Sequence, residues 1–343
     1  MRAYFIKRLL LIVPTLLGIS IACFIVMQLV PGGPVEQALQ KMKYRAQSGE
    51  AGGGSSQQLQ SNMTQEELEN IKHYYGFDKP ILTRYFNWMG KLVKGDLGDS
   101  YIYGTPVLEL IVNRVPISLT FGLIGLLTTY LVCIPLGVQK ALRHGSSFDN
   151  WSSFWVFLGY SIPPFALGVF LIVLLGGGSF WNVFPISGLV SDNFDQLPWY
   201  AQLYDYIKHL ILPVLCYSIG GFATLTLLMK NSLMEQLNQD YIRTALAKGM
   251  PYRQAVFRHG LRNALIPIAT NIGMIISVFL SGSFLIEKVF TIDGIGLLGY
   301  QSVVNRDYPV ALGLIIISSL LALIGRIISD FCLVLVDPRI KFQ

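Results

Sequence analysis

The chain has 343 residues, 52% of them hydrophobic and only 13% charged, with a formal net charge of +6. Soluble domains carry roughly a quarter charged residues and under half apolar ones. The composition excludes an ordinary water-soluble fold and points to an all-α, polytopic membrane protein.

A transmembrane helix needs about 20 mostly apolar residues. Six stretches qualify: Leu9 to Val30, Ile117 to Val138, Trp151 to Leu175, Leu210 to Met229, Leu265 to Ile286 and Val310 to Leu335. Six transmembrane helices put both termini on one side. The opening "MRAYFIKRLLLIVPTLLGIS" also has the basic start of a cleaved signal peptide. Its apolar run is too long for one, however, and no small-x-small cleavage site follows. Residues 1–30 are therefore expected to be an N-terminal transmembrane helix.

Residues 31–115 form a long outer segment, and loops of that length carry structure or act as linkers. "SGEAGGGSSQQ" at 48–58 has linker composition. After it, Thr64 and Glu67 have the spacing of a capping box, and Gly76 and Pro80 are helix stops, so a short surface helix is expected. Residues 116–343 make up the core membrane domain. Within it, the outer segment Gly176 to Lys208 is rich in Trp, Tyr and Phe, which suits the headgroup level of a membrane. Cys23, Cys133, Cys216 and Cys332 all fall in apolar spans, where a free thiol packs as a small hydrophobe, so neither a disulfide framework nor a metal site is implied.

Orientation follows from the placement of Lys and Arg. With the N-terminus inside, segments 1–8, 139–150, 230–263 and 336–343 carry 13 Lys/Arg against 4 Asp/Glu, whereas the outer segments carry 12 against 15. Both termini are therefore expected in the cytoplasm.

Several chemistries are missing from the sequence. It contains no G-x-x-x-x-G-K-[ST] phosphate loop, no H-E-x-x-H and no G-x-S-x-G elbow, and its four histidines are scattered. A gradient-driven carrier normally keeps ionisable groups at membrane depth. Here the six spans hold only Arg326 and Asp330, four residues apart on the last helix and expected to pair with each other, with a relay role as the alternative. The energy for any transport must be delivered from outside the chain.

The polar, basic stretch "QDYIRTALAKGMPYRQAVFRHGLRNALIP" at 239–267 lies between two apolar runs. Tyr241 to Lys248 is read as one helix, Gly249 as a left-handed stop with Pro251 beyond it, and Tyr252 to Asn263 as a second helix. Its Arg and Lys side chains would serve equally to hold anionic headgroups. The small residues Thr244, Ala245 and Ala247 beside the glycine instead give a smooth helix end that can enter a partner's groove.

This stretch resembles the EAA loop of permease subunits of ABC importers, in the dipeptide and oligopeptide branch, with Gly249 as its central glycine. The namesake Glu-Ala-Ala is replaced here by Arg243, Thr244 and Ala245. The resemblance extends along nearly the whole chain. It covers "RLLLIVPTLLGIS" and "LVPGGP", "GDLGDS" at 95–100, "RVPISLTFGL" at 114–123, "PLGVQKALRHGSSFD" at 135–149, "EKVFTIDGIGLLGYQSVVNRDYPV" at 287–310 and "VDPRI" at 336–340. "FPISGLVSDNFDQLPWY" and "IGGFATLTLLMKNS" look like the branch associated with oligopeptides and the peptide-nucleotide antibiotic microcin C.

The resemblance implies a type I ABC importer permease fold and an inner-membrane subunit that is not itself an enzyme. Its implied partners are a second permease subunit in a heterodimer, a cytoplasmic ABC ATPase that binds the ATP and Mg, a periplasmic or extracellular peptide-binding protein, and membrane lipid. No nucleic acid partner and no cofactor in this chain are expected. The coupling loop would be 231–263, with Tyr241, Arg243, Ala245, Lys248 and Gly249 facing the ATPase and Arg262 and Asn263 tying the loop to the fifth transmembrane helix. Glu287, Asp293, Asp307 and Tyr308 would meet the binding protein, although Asp307 and Tyr308 are equally read as the cap of the last helix. Thr224, Asn271, Ser277 and Ser281 suit a passage wall or simple helix packing. The rival readings are a permease of the same family for nickel or another small solute, an ion-gradient-driven carrier, and a scaffold that carries no flux.

Overall fold

The computed structural model describes residues 2–29, 79–177, 180–270 and 282–336. The linker at 48–58, the capping-box helix from Thr64 to Gly76, Asn271, Ser277, Ser281, "VDPRI" beyond Val336 and the side chain of Cys332 lie outside what is described.

The described residues form helices: α1 (Arg2–Leu29), α2 (Ile81–Val93), α3 (Val107–Leu142), α4 (Ser147–Ser161), α5 (Pro164–Leu175), α6 (Trp199–Leu237), α7 (Asp240–Ala247), α8 (Tyr252–Ala255), α9 (Leu261–Ala264), α10 (Phe284–Val289), α11 (Ile295–Val304) and α12 (Tyr308–Val336). The expected all-α architecture is present. At 1.5 Å rise per residue, the 36 residues of α3 and 39 of α6 reach about 54 Å and about 58 Å, well past a hydrocarbon core of about 30 Å. Both helices extend beyond the apolar runs that marked them. α1, α3 and α6 carry Pro14, Pro116, Pro135 and Pro213 inside them, as membrane helices tolerate when neighbouring groups take up the freed carbonyls.

Among the described residues, four helices are long and apolar enough to cross a membrane, and α4 with α5 makes a fifth only if that bent pair counts as one crossing. The expected unbroken helix from Trp151 to Leu175 is corrected to two helices meeting at 97°. Ile162 is extended and Pro163 follows at ψ 133°, so Pro163–Pro164 breaks the hydrogen-bond ladder and forces the residue before it out of the helical region. The expected helix from Leu265 to Ile286 is described at its two ends: 266–270 are helical, but Gly282 takes φ +72° and Ser283 is extended, so its last residues, from Phe284, belong to the separate helix α10.

Contacts divide the chain into two compact units, one of Met1–Leu10, Asn113–Leu298 and Ser318–Gln343, the other of Leu11–Val112 and Gly299–Ile317. In the first, Cys133, Val138, Leu225, Met229, Leu233, Val256, Ala264 and Ile268 pack together around α3 and α6. A Cβ on Gly137 would lie 2.6 Å from Met229 Cβ and 2.8 Å from the Thr226 carbonyl, so the close approach of α3 to α6 requires glycine. Small residues at contacts of this kind are what membrane helices use in place of a hydrophobic driving force. A second cluster joins Phe121, Leu212, Cys216, Ile286, Phe290 and Ile292, with the Phe121 and Tyr217 rings stacked at 6.0 Å.

In the second unit, Phe24 packs against the rings of Tyr85 (5.3 Å) and Trp88 (5.9 Å), and the Ser20 hydroxyl lies 3.0 Å from the Tyr85 hydroxyl. The aromatic segment 180–204 belongs to the first unit. It leaves Phe180, Trp181, Trp199, Tyr200 and Tyr204 exposed while the Asp205 carboxylate accepts from the Ser191 N–H and hydroxyl.

Candidate functional site

The basic stretch folds as a helix, a left-handed turn and a second helical arm. Asp240, one residue before the expected start, opens α7 and places a carboxylate at the positive end of its dipole. Gly249 has φ +84°, donates to the Leu246 carbonyl (2.9 Å), and is followed by Met250 donating to Ala245 (3.2 Å). Those two bonds make a Schellman stop, which consumes the carbonyls that the helix end would leave unpaired.

The second arm is not a uniform α-helix. α8 and α9 are separated by a π-helical turn, Val256–Gly260, and the arm runs on into the helical residues 266–270. The wide turn lets two consecutive side chains, Ala255 and Val256, both be fully buried.

Anchoring comes from the inner face. Ile242, 1% exposed, converges with Leu233 and Leu237 on Gly260, where a Cβ would lie 3.5–3.7 Å from all three side chains. The Ser232 hydroxyl donates to the Ala264 carbonyl at 2.9 Å. This hydroxyl and buried Ala264 join α6 to the second arm; Arg262 is exposed and Asn263 half-buried.

The outer face carries the other residues of interest. Tyr241 is exposed and its hydroxyl donates to Gln236 Oε1 at 2.8 Å. Arg243 lies 3.6 Å from Asp240, both open to solvent, where such a pair contributes little. Lys248 and Gly249 are exposed and Ala245 is half-buried. Beside them stand the exposed aromatics Tyr252 and Phe257, with the Arg253 guanidinium 5.9 Å from the Phe257 ring.

Two of the four residues expected to meet a binding protein are buried, which corrects that expectation. Glu287, 1% exposed, accepts from the N–H groups of Leu297 (2.5 Å), Ser283 (3.2 Å) and Gly296 (3.4 Å) and from the Tyr217 hydroxyl (3.2 Å). A Cβ on Gly294 would lie 2.6 Å from its carboxyl carbon. Burial pushes the Glu287 carboxyl above its usual range, and the donors pull it only part of the way back. Asp307, also 1% exposed, accepts from the Ser100 hydroxyl (2.5 Å) and the Tyr101 N–H (3.1 Å), tying the "GDLGDS" turn to the start of α12. A carboxylate that is buried, with its oxygens bonded inside the chain, is not offered to a partner. Tyr308 is half-buried. Asp293 remains exposed and is held by Arg114 through Nε and Nη2, each at 2.9 Å.

The expected Arg326–Asp330 pair is also corrected: Arg8 of α1 meets Asp330 at 2.7 Å, and Arg326 is exposed. With the cation four residues before the acid, the intrahelical pair has the weaker orientation, and a cation from another helix takes the acid.

Residues 133–342 match the family described as the binding-protein-dependent transport system inner membrane component. The chain is 44% identical over 362 residues, covering all of both chains, to the inner membrane ABC transporter permease protein YejB of Escherichia coli O157:H7. It is 42% identical over 360 residues, covering all of this chain and 99% of the relative, to the peptidoglycan transport system permease protein YejB of Agrobacterium fabrum. It is 36% identical over 343 residues, again covering all of both chains, to the oligopeptide transport system permease protein AppB of Bacillus subtilis. The chain belongs to this family of inner membrane transport components. It is a multi-pass permease, a transport subunit and not an enzyme.

Sequence reasoning passed over two features of this permease. Tyr252 and Phe257 extend the outer face of the basic stretch, and the available signal was a pair of aromatics in a polar segment. The second feature is a buried charge cluster beside the stretch. Asp149 accepts from Lys230 at both oxygens (2.9 and 2.7 Å), from Lys140 (3.0 Å) and from the Gly145 N–H (3.2 Å), with His144 Nδ1 at 3.3 Å. Its only sequence signal was the S-x-x-D spacing of Ser146 and Asp149 at the start of α4.

Proposed function

We propose that the chain is one of two unlike permease subunits of an ATP-driven importer for oligopeptides, with both termini in the cytoplasm and α7 seated in a groove of a separate ATPase. The observation that carries this reading is the construction of α7. Its inner face is anchored through Ile242, its end is closed by Gly249, and Tyr241, Arg243 and Lys248 stand on the outer side. A helix docked in this way passes a push from its outer face into α6 and α3. ATP-driven closure of the ATPase pair would draw the coupling loops of the two permeases together and open the path outward. Hydrolysis would reverse it, a two-state shift driven by differential binding.

A peptide-binding protein would dock on the outer side, where Asp293 and Tyr308 are the remaining candidates. The names of the Escherichia and Bacillus relatives support ABC transport and oligopeptide transport, respectively. The Agrobacterium relative's name favours a second reading, peptides derived from peptidoglycan. Microcin C-like antibiotics would be a further cargo of the same path.

The test is a reconstituted complex of both permeases, the ATPase and the loaded binding protein, comparing wild type with Gly249→Pro for ATP hydrolysis and peptide uptake. Proline cannot adopt φ +84° and lacks the N–H given to Leu246. An assembled variant that hydrolyses ATP without uptake supports the lever. Normal hydrolysis together with normal uptake refutes it. Competition between an oligopeptide and a peptidoglycan fragment for uptake decides between the two cargo readings.

A further inference from the structure

We propose that the buried cluster of Lys140, Asp149 and Lys230 is a positioning device that makes the cytoplasmic ends of α3, α4 and α6 move as one body, so that a displacement of α7 reaches the bent α4–α5 pair. This rests on the reading of α7 as the coupling helix.

Each member comes from a different helix. Lys140, 1% exposed, closes α3; Asp149 opens α4; Lys230 lies near the end of α6, just before Ser232 and Leu233, which hold the basic stretch. The Lys140 ammonium has four acceptors around it: Asp149 Oδ1 (3.0 Å), the Asp149 carbonyl (2.9 Å), Ser152 Oγ (2.9 Å) and Ser153 Oγ (2.7 Å). The Asp149 carboxylate in turn holds both lysines and the Gly145 N–H of the connecting turn.

Apolar side chains would stabilise such a junction as well, because removing charges from water offsets much of their attraction. They would not fix its register. Apolar contacts are not directional, whereas one buried and one half-buried cation sharing a carboxylate lose their compensation when a helix shifts. The load path continues along α4, where a Cβ on Gly159 would lie 2.9 Å from Ile219 Cδ1 of α6, and reaches the 97° bend at Pro163–Pro164. With the cluster intact, a push on α7 moves α6 and α4 together. Without it, α6 moves past α4 and the push is lost.

The experiment uses the whole complex in liposomes and reads oligopeptide taken up per ATP hydrolysed. Asp149→Asn combined with Lys230→Met removes one anion and one cation and leaves the cluster's net charge unchanged. Uptake per ATP should fall about five-fold or more, the lower end of coupling between sites, while binding-protein-stimulated hydrolysis persists. Lys230→Arg should keep the wild-type ratio. If the double variant does not assemble, Ser152→Ala with Ser153→Ala, which strips two acceptors from Lys140 without unpairing Asp149, is read in the same way. An unchanged ratio, or hydrolysis and uptake falling together in proportion to the amount of complex, overturns the proposal. If Gly249→Pro uncouples the complex and the cluster variants do not, the positioning role alone is lost. If Gly249→Pro is also silent, the coupling-helix reading fails and the cluster's role falls with it.

Discussion

Replacing Ile242 with alanine should undock α7 without unfolding the permease. The side chain is 1% exposed and meets Leu233 and Leu237 over Gly260. The substitution removes three carbons, worth about 2.4 kcal/mol at about 0.8 kcal/mol per buried group. The cavity left behind brings the total toward the range of about 2–5 kcal/mol seen for such truncations. α7 has eight residues, short of the roughly 12–15 that an isolated helix needs, so little besides docking keeps it helical. At 1.36 kcal/mol per tenfold, about 2.4 kcal/mol corresponds to about 60-fold more frequent opening. Hydrogen–deuterium exchange in nanodiscs should therefore speed up by about 60-fold or more across 240–248 and remain unchanged through the middle of α6. Unchanged exchange in α7 would refute the anchoring argument. Equal acceleration along α6 would mean that Ile242 supports the whole unit and not one lever.

Further outcomes follow from the same contacts. Because burial raises the Glu287 carboxyl in the folded state, the native chain holds its proton more tightly than the unfolded one. The Glu287 contribution to stability is thus fullest below its unfolded value and declines as pH rises through the folded one. The melting temperature of wild type relative to Glu287→Gln, measured in detergent, should fall as pH rises from 4.5 toward neutrality, and a flat difference would contradict the assignment. Asp307→Ala leaves the Ser100 hydroxyl and Tyr101 N–H without their acceptor, a loss of about 1–3 kcal/mol. Limited proteolysis at 95–106 should accelerate, and an unaltered cleavage rate would count against the tie. Gly137→Leu forces α3 away from Met229 and the Thr226 carbonyl and should cost about 1–3 kcal/mol, read as a lower melting temperature; an unchanged value would show that the helices can separate freely.

Much of this permease is determined by the sequence alone. Long apolar runs define membrane helices because the bilayer leaves the backbone no other solution. The stop at Gly249 is equally local, since a left-handed residue after a helix is a property of the glycine itself. The break between α4 and α5 was present in the sequence as Pro163–Pro164, but the length of the apolar run masked it.

Only the tertiary structure decided which charges face a partner and which are consumed inside. Glu287 and Asp307 read as surface acids until the donors of Leu297, Ser283, Ser100 and Tyr101 are seen around them. Asp330 read as the partner of Arg326 until Arg8 arrives from a helix more than 300 residues away in the chain. The Lys140–Asp149–Lys230 cluster could not be read along the chain, because its members come from three helices and 81 residues separate Asp149 from Lys230. Spacing along a chain reports which residues share a helix face; which faces meet depends on close approaches such as that at Gly137, a property of the packed helices together.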